Sequence, residues 1–366
     1  MTSTERGGMA NDVRTVDRKP TGPTPVKDEK RTGLGDYLLF ALTLVLPPRY
    51  TPERVRYDRR YRTLDKYRFI SWFLLVPLII YAILVISPFF QAFYYSLTDW
   101  SGFSSDFNMV GLDNYSRMLE DDDFWASIRN SLLLLVVAPV ITLGLGLFFA
   151  FMLQAGGRRK KSDAISGVTG AKFYKVVYFF PQVLSVAIIG VVWGAMFDPI
   201  TGPINELLRT FGLGSLTQSW LANPDIAMFC VLFVMCWMFV GFYVVLFSAA
   251  MGSVPKDIYE AALLDGASRP TTFFRVTLPL IWDTVQTGWI YMGIQALDGF
   301  AVVHIMTINA GGPGNSTLVT PVYLYKKAFD VGQAGYATAV GVVLLIITMI
   351  FSGIMMLLSR RERIEF

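Results

Sequence analysis

Side chains able to do covalent chemistry are sparse in this chain of 366 residues. His304 is its one histidine, so zinc or haem sites built on histidine clusters are excluded. Cys230 and Cys236 stand six residues apart in an apolar run and point to different faces of a helix, suggesting neither a disulfide nor a metal site. No nucleophile and base pair is visible. No G-x-x-x-x-G-K-[ST] phosphate loop occurs either, so the chain does not hydrolyse ATP by that route. The residues that do suggest chemistry lie in a polar interruption between two long apolar runs, Met251 to Leu280, MGSVPKDIYEAALLDGASRPTTFFRVTLPL. Their chemistry is contact. Glu260 offers a charge-assisted hydrogen bond to a basic partner, Ala261 and Ala262 permit close backbone approach, and Ile258, Leu263 and Leu264 supply apolar anchors.

Positioning those residues requires a helix, a turn and a second helix. Pro255 fits the first turn of a helix over 256 to 264, with Asp257 at its positive end. Gly266 suits the left-handed turn that closes it, and Pro270 can open a helix running through Pro279 into the next apolar run. An amphipathic helix resting on a membrane surface would use the same apolar pattern. It would not require Glu260, Ala261, Ala262, Gly266 and Pro279 in this order.

With 53% hydrophobic and 16% charged residues, the composition is that of a membrane protein. Six stretches supply the about 20 apolar residues that a helix needs to cross the hydrocarbon core. They run over 69 to 95, 131 to 153, 174 to 197, 226 to 250, 279 to 300 and 334 to 358. The expected fold is therefore all-α and polytopic, with a six-span domain over 68 to 359 that contains the polar loop 251 to 279. Residues 1 to 67 read as a basic cytoplasmic tail, disordered at first and carrying a short interfacial helix near 36 to 46. Residues 360 to 366 read as a basic cytoplasmic end.

Lysine and arginine placement sets the orientation. The tail, the loop with Arg158, Arg159, Lys160, Lys161, Lys172 and Lys175, the loop with Lys256, Arg269 and Arg275, and the end with Arg360, Arg361 and Arg363 share one side. The positive-inside rule makes that side cytoplasmic. Opposite loops carry few basic residues and the acidic run Glu120 to Asp123.

The order EAALLDGASRPTTFFRVTLP resembles the EAA loop of membrane subunits of binding-protein-dependent ABC importers, and its extended form with Asp265, Ala267 and Phe274 resembles the carbohydrate-importer branch. Further matches extend the resemblance from about residue 70 to the end. They are VGLDNY at 110 to 115 followed by Phe124 and Asn130, then Pro181, Trp193 and GPIN at 202 to 205, and finally GGP at 311 to 313 with TPVYLYKKAF and GYATA at 335 to 339. The later set is similar to the first permease subunit of maltose-like or glycerol-phosphate-like systems. The resemblance implies a type I importer permease fold in the bacterial cytoplasmic membrane. It makes Glu260, Ala261, Ala262, Asp265, Gly266, Ala267 and Pro279 the coupling residues that dock on a cytoplasmic ATPase. Implied partners are a second permease subunit, two ATP-binding subunits that carry Mg-ATP, an extracytoplasmic solute-binding protein, a sugar solute and the lipid bilayer. No nucleic acid, metal or cofactor of its own is expected.

A solute site should lie at mid-depth on the helices beside the lever. Met235, Met238, Phe239 and Phe242 share one face of the fourth span, and Met292, Gln295, Ala296 and Gly299 do so on the fifth, with Asp298 beside them. Such a stripe of methionine and phenylalanine equally serves helix packing. Arginine and lysine are absent from these two spans, which favours a neutral di- or oligosaccharide over a phosphate-bearing solute. Amino-sugar and glycerol-phosphate importers share the motifs. An ion-coupled secondary transporter would instead need carboxylates deep in its spans and paired broken helices. Asp283 is the main acidic residue well inside a span, and it sits beside the polar loop.

Overall fold

The computed structural model describes residues 59–155 and 168–358. The tail with its expected helix near 36 to 46, most of the loop 156 to 170 and the basic end lie outside the described residues. The chain forms two units, Met1–Leu84 and Val85–Phe366. In the first, α1 (Arg59–Tyr81) is a helix with Pro77 inside it.

The second unit holds the rest. Its helices are α2 (Ser87–Tyr95), α3 (Asp113–Glu120), α4 (Asp122–Ala155), α5 (Ala171–Val183), α6 (Val186–Met196), α7 (Pro203–Thr210) and α8 (Pro224–Ser253). After them come α9 (Lys256–Leu264), α10 (Arg269–Thr272), α11 (Leu278–Leu280), α12 (Trp282–Leu297), α13 (Phe300–Met306), α14 (Thr320–Tyr325) and α15 (Ala334–Leu358). Among the described residues the extended pairing is one isolated bridge, Thr98 with Met109.

Four helical runs are long and apolar enough to cross a membrane: Lys66–Tyr95, Asp122–Gln154, Pro224–Ser253 and Ala334–Leu358. The expected third and fifth spans are bent pairs. Helices α5 and α6 meet at 95°, and α12 and α13 at 42°. Six spans result when each pair counts as one. A straight third span over 174 to 197 is thus not observed. Leu184 and Ser185 are extended, and Pro181 lies in the last turn of α5. The fifth span starts at Trp282, changes direction at Asp298 and Gly299, and continues to Met306.

Helix α8 is central, packing against α4 and α5, while α12 packs against α4. Glycine allows the closest crossings. The Gly241 backbone of α8 lies against the Tyr178 carbonyl of α5, leaving no room for a side chain. Gly190 of α6 receives Ile305 of α13, so the second halves of the two bent spans pack on one another.

At the end of the bundle remote from the polar loop, three buried asparagines fasten the connections. Asn114 donates to the Ser96 and Thr98 carbonyls at 2.9 and 2.8 Å. Asn130 donates to the Asn315 and Leu318 carbonyls at 3.3 and 2.9 Å. Asn205, 1% exposed, donates to the Pro199 and Gln218 carbonyls at 3.0 and 2.9 Å and accepts from the Trp220 indole at 2.8 Å. Each amide holds irregular backbone that has no helical partner of its own. The GYATA segment joins this end too, because the Gly335 amide donates to the Trp100 carbonyl at 2.7 Å.

Candidate functional site: a lever between the fourth and fifth spans

Helix α9 follows α8 after a break at Val254 and Pro255. Pro255 is the residue that caps α9 rather than part of its first turn, and Asp257 lies in that turn. The helix closes as expected. Gly266 adopts φ +76°, its amide donates to Leu263 O at 3.0 Å, and the Ala267 amide donates to Ala262 O at 3.0 Å. These paired bonds are a Schellman closure, which favours glycine at the left-handed position. Ser268 then caps α10, its hydroxyl accepting from the Thr271 amide at 3.4 Å, with Pro270 in the first turn. A π-turn, Phe273–Thr277, leads through Pro279 to α12.

The lever is rooted on one face and bare on the other. Ile258 and Tyr259 pack against the core, and the Tyr259 hydroxyl donates to Met251 O at 3.4 Å. Burial pushes the Tyr259 phenol up, so it remains a neutral donor. Phe273 stacks at a tilt on Phe151 near the end of α4, ring centroids 4.7 Å apart. Gln154 donates to Ser248 O at 2.8 Å, joining the ends of α4 and α8 beneath the lever. Glu260, Ala261, Asp265, Gly266 and Pro279 are exposed, Ala262 and Ala267 half-buried. Leu264 is 88% exposed, an apolar side chain presented beside the Glu260 carboxylate. A carboxylate, two alanines and a bare leucine thus form an acidic and apolar knob on a rooted helix.

The expected solute residues divide. Met235, Met238, Phe239, Met292, Ala296 and Gly299 are buried inside this chain. Phe242 and Gln295 are half-buried, and Asp298 is exposed at the bend of the fifth span. Phe242 faces Tyr291, ring centroids 5.6 Å apart. Of the expected solute residues, Phe242, Gln295 and Asp298 thus keep accessible surface, with Tyr291 exposed beside Phe242. The two cysteines are buried and unpaired.

Sequence reasoning passed over a polar hub at the remote end. Asp121 Oδ2 accepts from Tyr323 Oη at 2.5 Å, Lys327 Nζ at 3.1 Å and Tyr336 Oη at 3.2 Å. Burial alone would raise this carboxyl, but the hydrogen bonds from Tyr323 and Lys327 hold it below its usual range. In the sequence Asp121 is one charge of the acidic run Glu120 to Asp123. The tyrosines that mark its role lie over 200 residues away. Tyr243, one residue beyond the stripe on the fourth span, was also missed.

Comparison with known proteins agrees with this architecture. The family profile described as "Binding-protein-dependent transport system inner membrane component" matches residues 164–364. The chain is 46% identical over 303 residues to the diacetylchitobiose uptake system permease protein of Streptomyces coelicolor, covering 82% of this chain and 85% of that one. It is 31% identical over 304 residues to the multiple sugar-binding transport system permease protein of Streptococcus mutans, covering 82% and 98%. Its fold is that of a chain in the crystal structure of a bacterial ABC transporter for alginate import, with a TM-score of 0.69 at 20% identity, covering 83% of this chain and 99% of that one. The chain belongs to the binding-protein-dependent transport system inner membrane components, as a multi-pass permease subunit of a sugar ABC importer.

Proposed function

We propose that this chain forms half of the pore of an importer for a neutral disaccharide of acetylated amino sugars, driven through α9 by ATP hydrolysis on partner subunits. The observation that carries the reading is the rooted lever with its bare Glu260, Ala261 and Leu264. One of two ATP-binding subunits takes this knob on the cytoplasmic side, where both termini also lie by the positive-inside rule. A second permease completes the pore and an extracytoplasmic binding protein delivers the sugar. Closure of the ATPases moves the levers and switches the pore between inward-open and outward-open arrangements.

The solute class rests on two supports. The relative of 46% identity is named for diacetylchitobiose uptake. The fourth and fifth spans carry no lysine or arginine with which to hold a phosphate. A neutral disaccharide needs amide and carboxylate partners for hydroxyls and apolar faces for C–H groups, which Gln295, Asp298, Phe242 and Tyr291 offer.

ATP hydrolysis by the complete importer with its binding protein, measured across diacetylchitobiose, maltose and glycerol phosphate, tests both parts. Diacetylchitobiose is expected to stimulate the wild type, and Glu260→Ala to lose that stimulation. Stimulation by glycerol phosphate alone would overturn the solute class. Full stimulation in the variant would overturn the role of Glu260.

A further inference from the structure

Between the lever and Phe242 the helices meet in one buried layer built around Tyr243. This side chain is 0% exposed although it belongs to a helix crossing an apolar medium. Its hydroxyl donates to the Gly288 carbonyl of α12 at 3.2 Å, a bond between the helix that enters the lever and the helix that leaves it. A Cβ on Gly288 would stand 3.2 Å from Tyr243 Cε1, and one on Gly146 of α4 would stand 2.7 Å from Tyr243 Cβ. Two glycines on two helices thus form the socket for one tyrosine. Phe247, also 0% exposed, lies one turn nearer the lever and touches the same socket, its ring 5.9 Å from that of Tyr243. One residue before the pin, Phe242 packs on Tyr291.

We propose that Tyr243 is a positioning residue, a pin that makes the lever, α4, α8 and α12 move as a single body. It rests on the importer reading above. Below the pin, Phe151 against Phe273 and Gln154 on Ser248 already join the lever to α4 and α8. None of these contacts holds α12 against α8. The Tyr243 hydroxyl does, about 15 Å along α8 from its lever end. Displacement of the lever therefore reaches Phe242 and Tyr291 together, rather than being absorbed by slip of α12. A tyrosine that served only to fill space would be replaced without loss by phenylalanine, since the socket is shaped to the ring. The hydroxyl is the part that transmits.

The test uses the complete importer in lipid vesicles, with Tyr243→Phe as the first variant and Gly288→Ala, which wedges the socket, as the second. Spin labels at Lys256→Cys on the lever and Ile308→Cys beyond α13, in a background with Cys230 and Cys236 replaced by alanine, report the distance along this chain. Trapping with ATP, magnesium and vanadate should leave that distance unchanged in the pinned protein and shift or broaden it in both variants. In parallel, diacetylchitobiose taken up per ATP hydrolysed should fall about threefold in Tyr243→Phe, as for loss of one interhelical hydrogen bond in a membrane, with hydrolysis itself maintained. A distance that shifts in the wild type, or variants that keep the wild-type distribution and transport ratio, would overturn the pin. Failure of the importer reading would show separately, as wild-type hydrolysis indifferent to binding protein and sugar. The distance measurement needs no sugar, so it decides the pin even where the solute class alone is wrong.

Discussion

Replacing Asn205 by alanine should loosen the remote end of the bundle by an amount that can be worked from its contacts. The side chain makes three good hydrogen bonds, to Pro199 O at 3.0 Å, to Gln218 O at 2.9 Å and from Trp220 Nε1 at 2.8 Å. A fourth, from the Gln218 amide, is long at 3.3 Å. At about 1 kcal/mol for each good bond the loss is about 3 kcal/mol. Pro199 and Gln218 are exposed residues, so water can reach their carbonyls and recover part of it. The Trp220 indole is half-buried among apolar side chains and recovers less. The expected net cost is about 2 kcal/mol, or roughly 3 °C at the midpoint of thermal unfolding for the unit Val85–Phe366. Detergent-purified Asn205→Ala and Trp220→Phe should be compared with wild type by loss of the monodisperse peak on heating. Trp220→Phe removes one of the three good bonds and should move the midpoint about a third as far. A shift under about 1 °C for Asn205→Ala would refute the reasoning, because it would mean that solvent replaces these bonds and that the 199–220 connection is not fastened by this amide.

Two further outcomes follow from geometry. Gly266→Ala adds a Cβ that meets nothing within 4 Å but forces φ +76° on an L side chain. It should cost about 1 kcal/mol of lever order, lowering sugar-stimulated hydrolysis severalfold, with Gly266→Asn intermediate. Asp121→Asn should destabilise the hub by about 1.5 to 3 kcal/mol, the range for hydrogen bonds to a charged group. Because its carboxyl is held below the ordinary 3.8, that contribution is full above pH 3.8 and is lost only as pH falls through the lower folded value. The gap in unfolding midpoint between wild type and Asp121→Asn should therefore be equal at pH 7.5 and pH 5.5. A gap already closed at pH 5.5 would refute the hub.

The lever was legible because it is local. Pro255, Gly266, Ser268 and Pro270 fix caps and a turn by backbone rules that act over a few residues, and the structure follows them to within one position at Pro255. The last span, 334 to 358, was legible from hydropathy alone, since nothing interrupts it. The 95° turn at Leu184 and Ser185 was not, because apolar content on both sides of Pro181 looks the same whether a helix continues or folds back. Motif residues such as Asn114, Asn130 and Asn205 were visible as residues but not as fasteners. Their acceptors include carbonyls, and a carbonyl leaves no mark on sequence. Asp121 and Tyr243 were missed for a related reason. Each acts on a residue brought near only by the packing of distant helices.

The bend between α5 and α6 also bears on where lipid can lie. Each half is too short to cross, 13 and 11 residues, or about 20 and 16 Å of helix. A helix end leaves as many as four carbonyls or four amides without partners in the same helix. Acyl chains can satisfy none of them. The corner at Leu184 and Ser185 must therefore be wetted or sealed by protein, and the annulus of lipid around this subunit has to be interrupted there. Such a gap divides the subunit's perimeter into an oily arc and a non-oily arc. Lipid analogues that quench tryptophan should accordingly reach Trp125 and Trp72, both half-exposed, without forming a continuous belt past this corner.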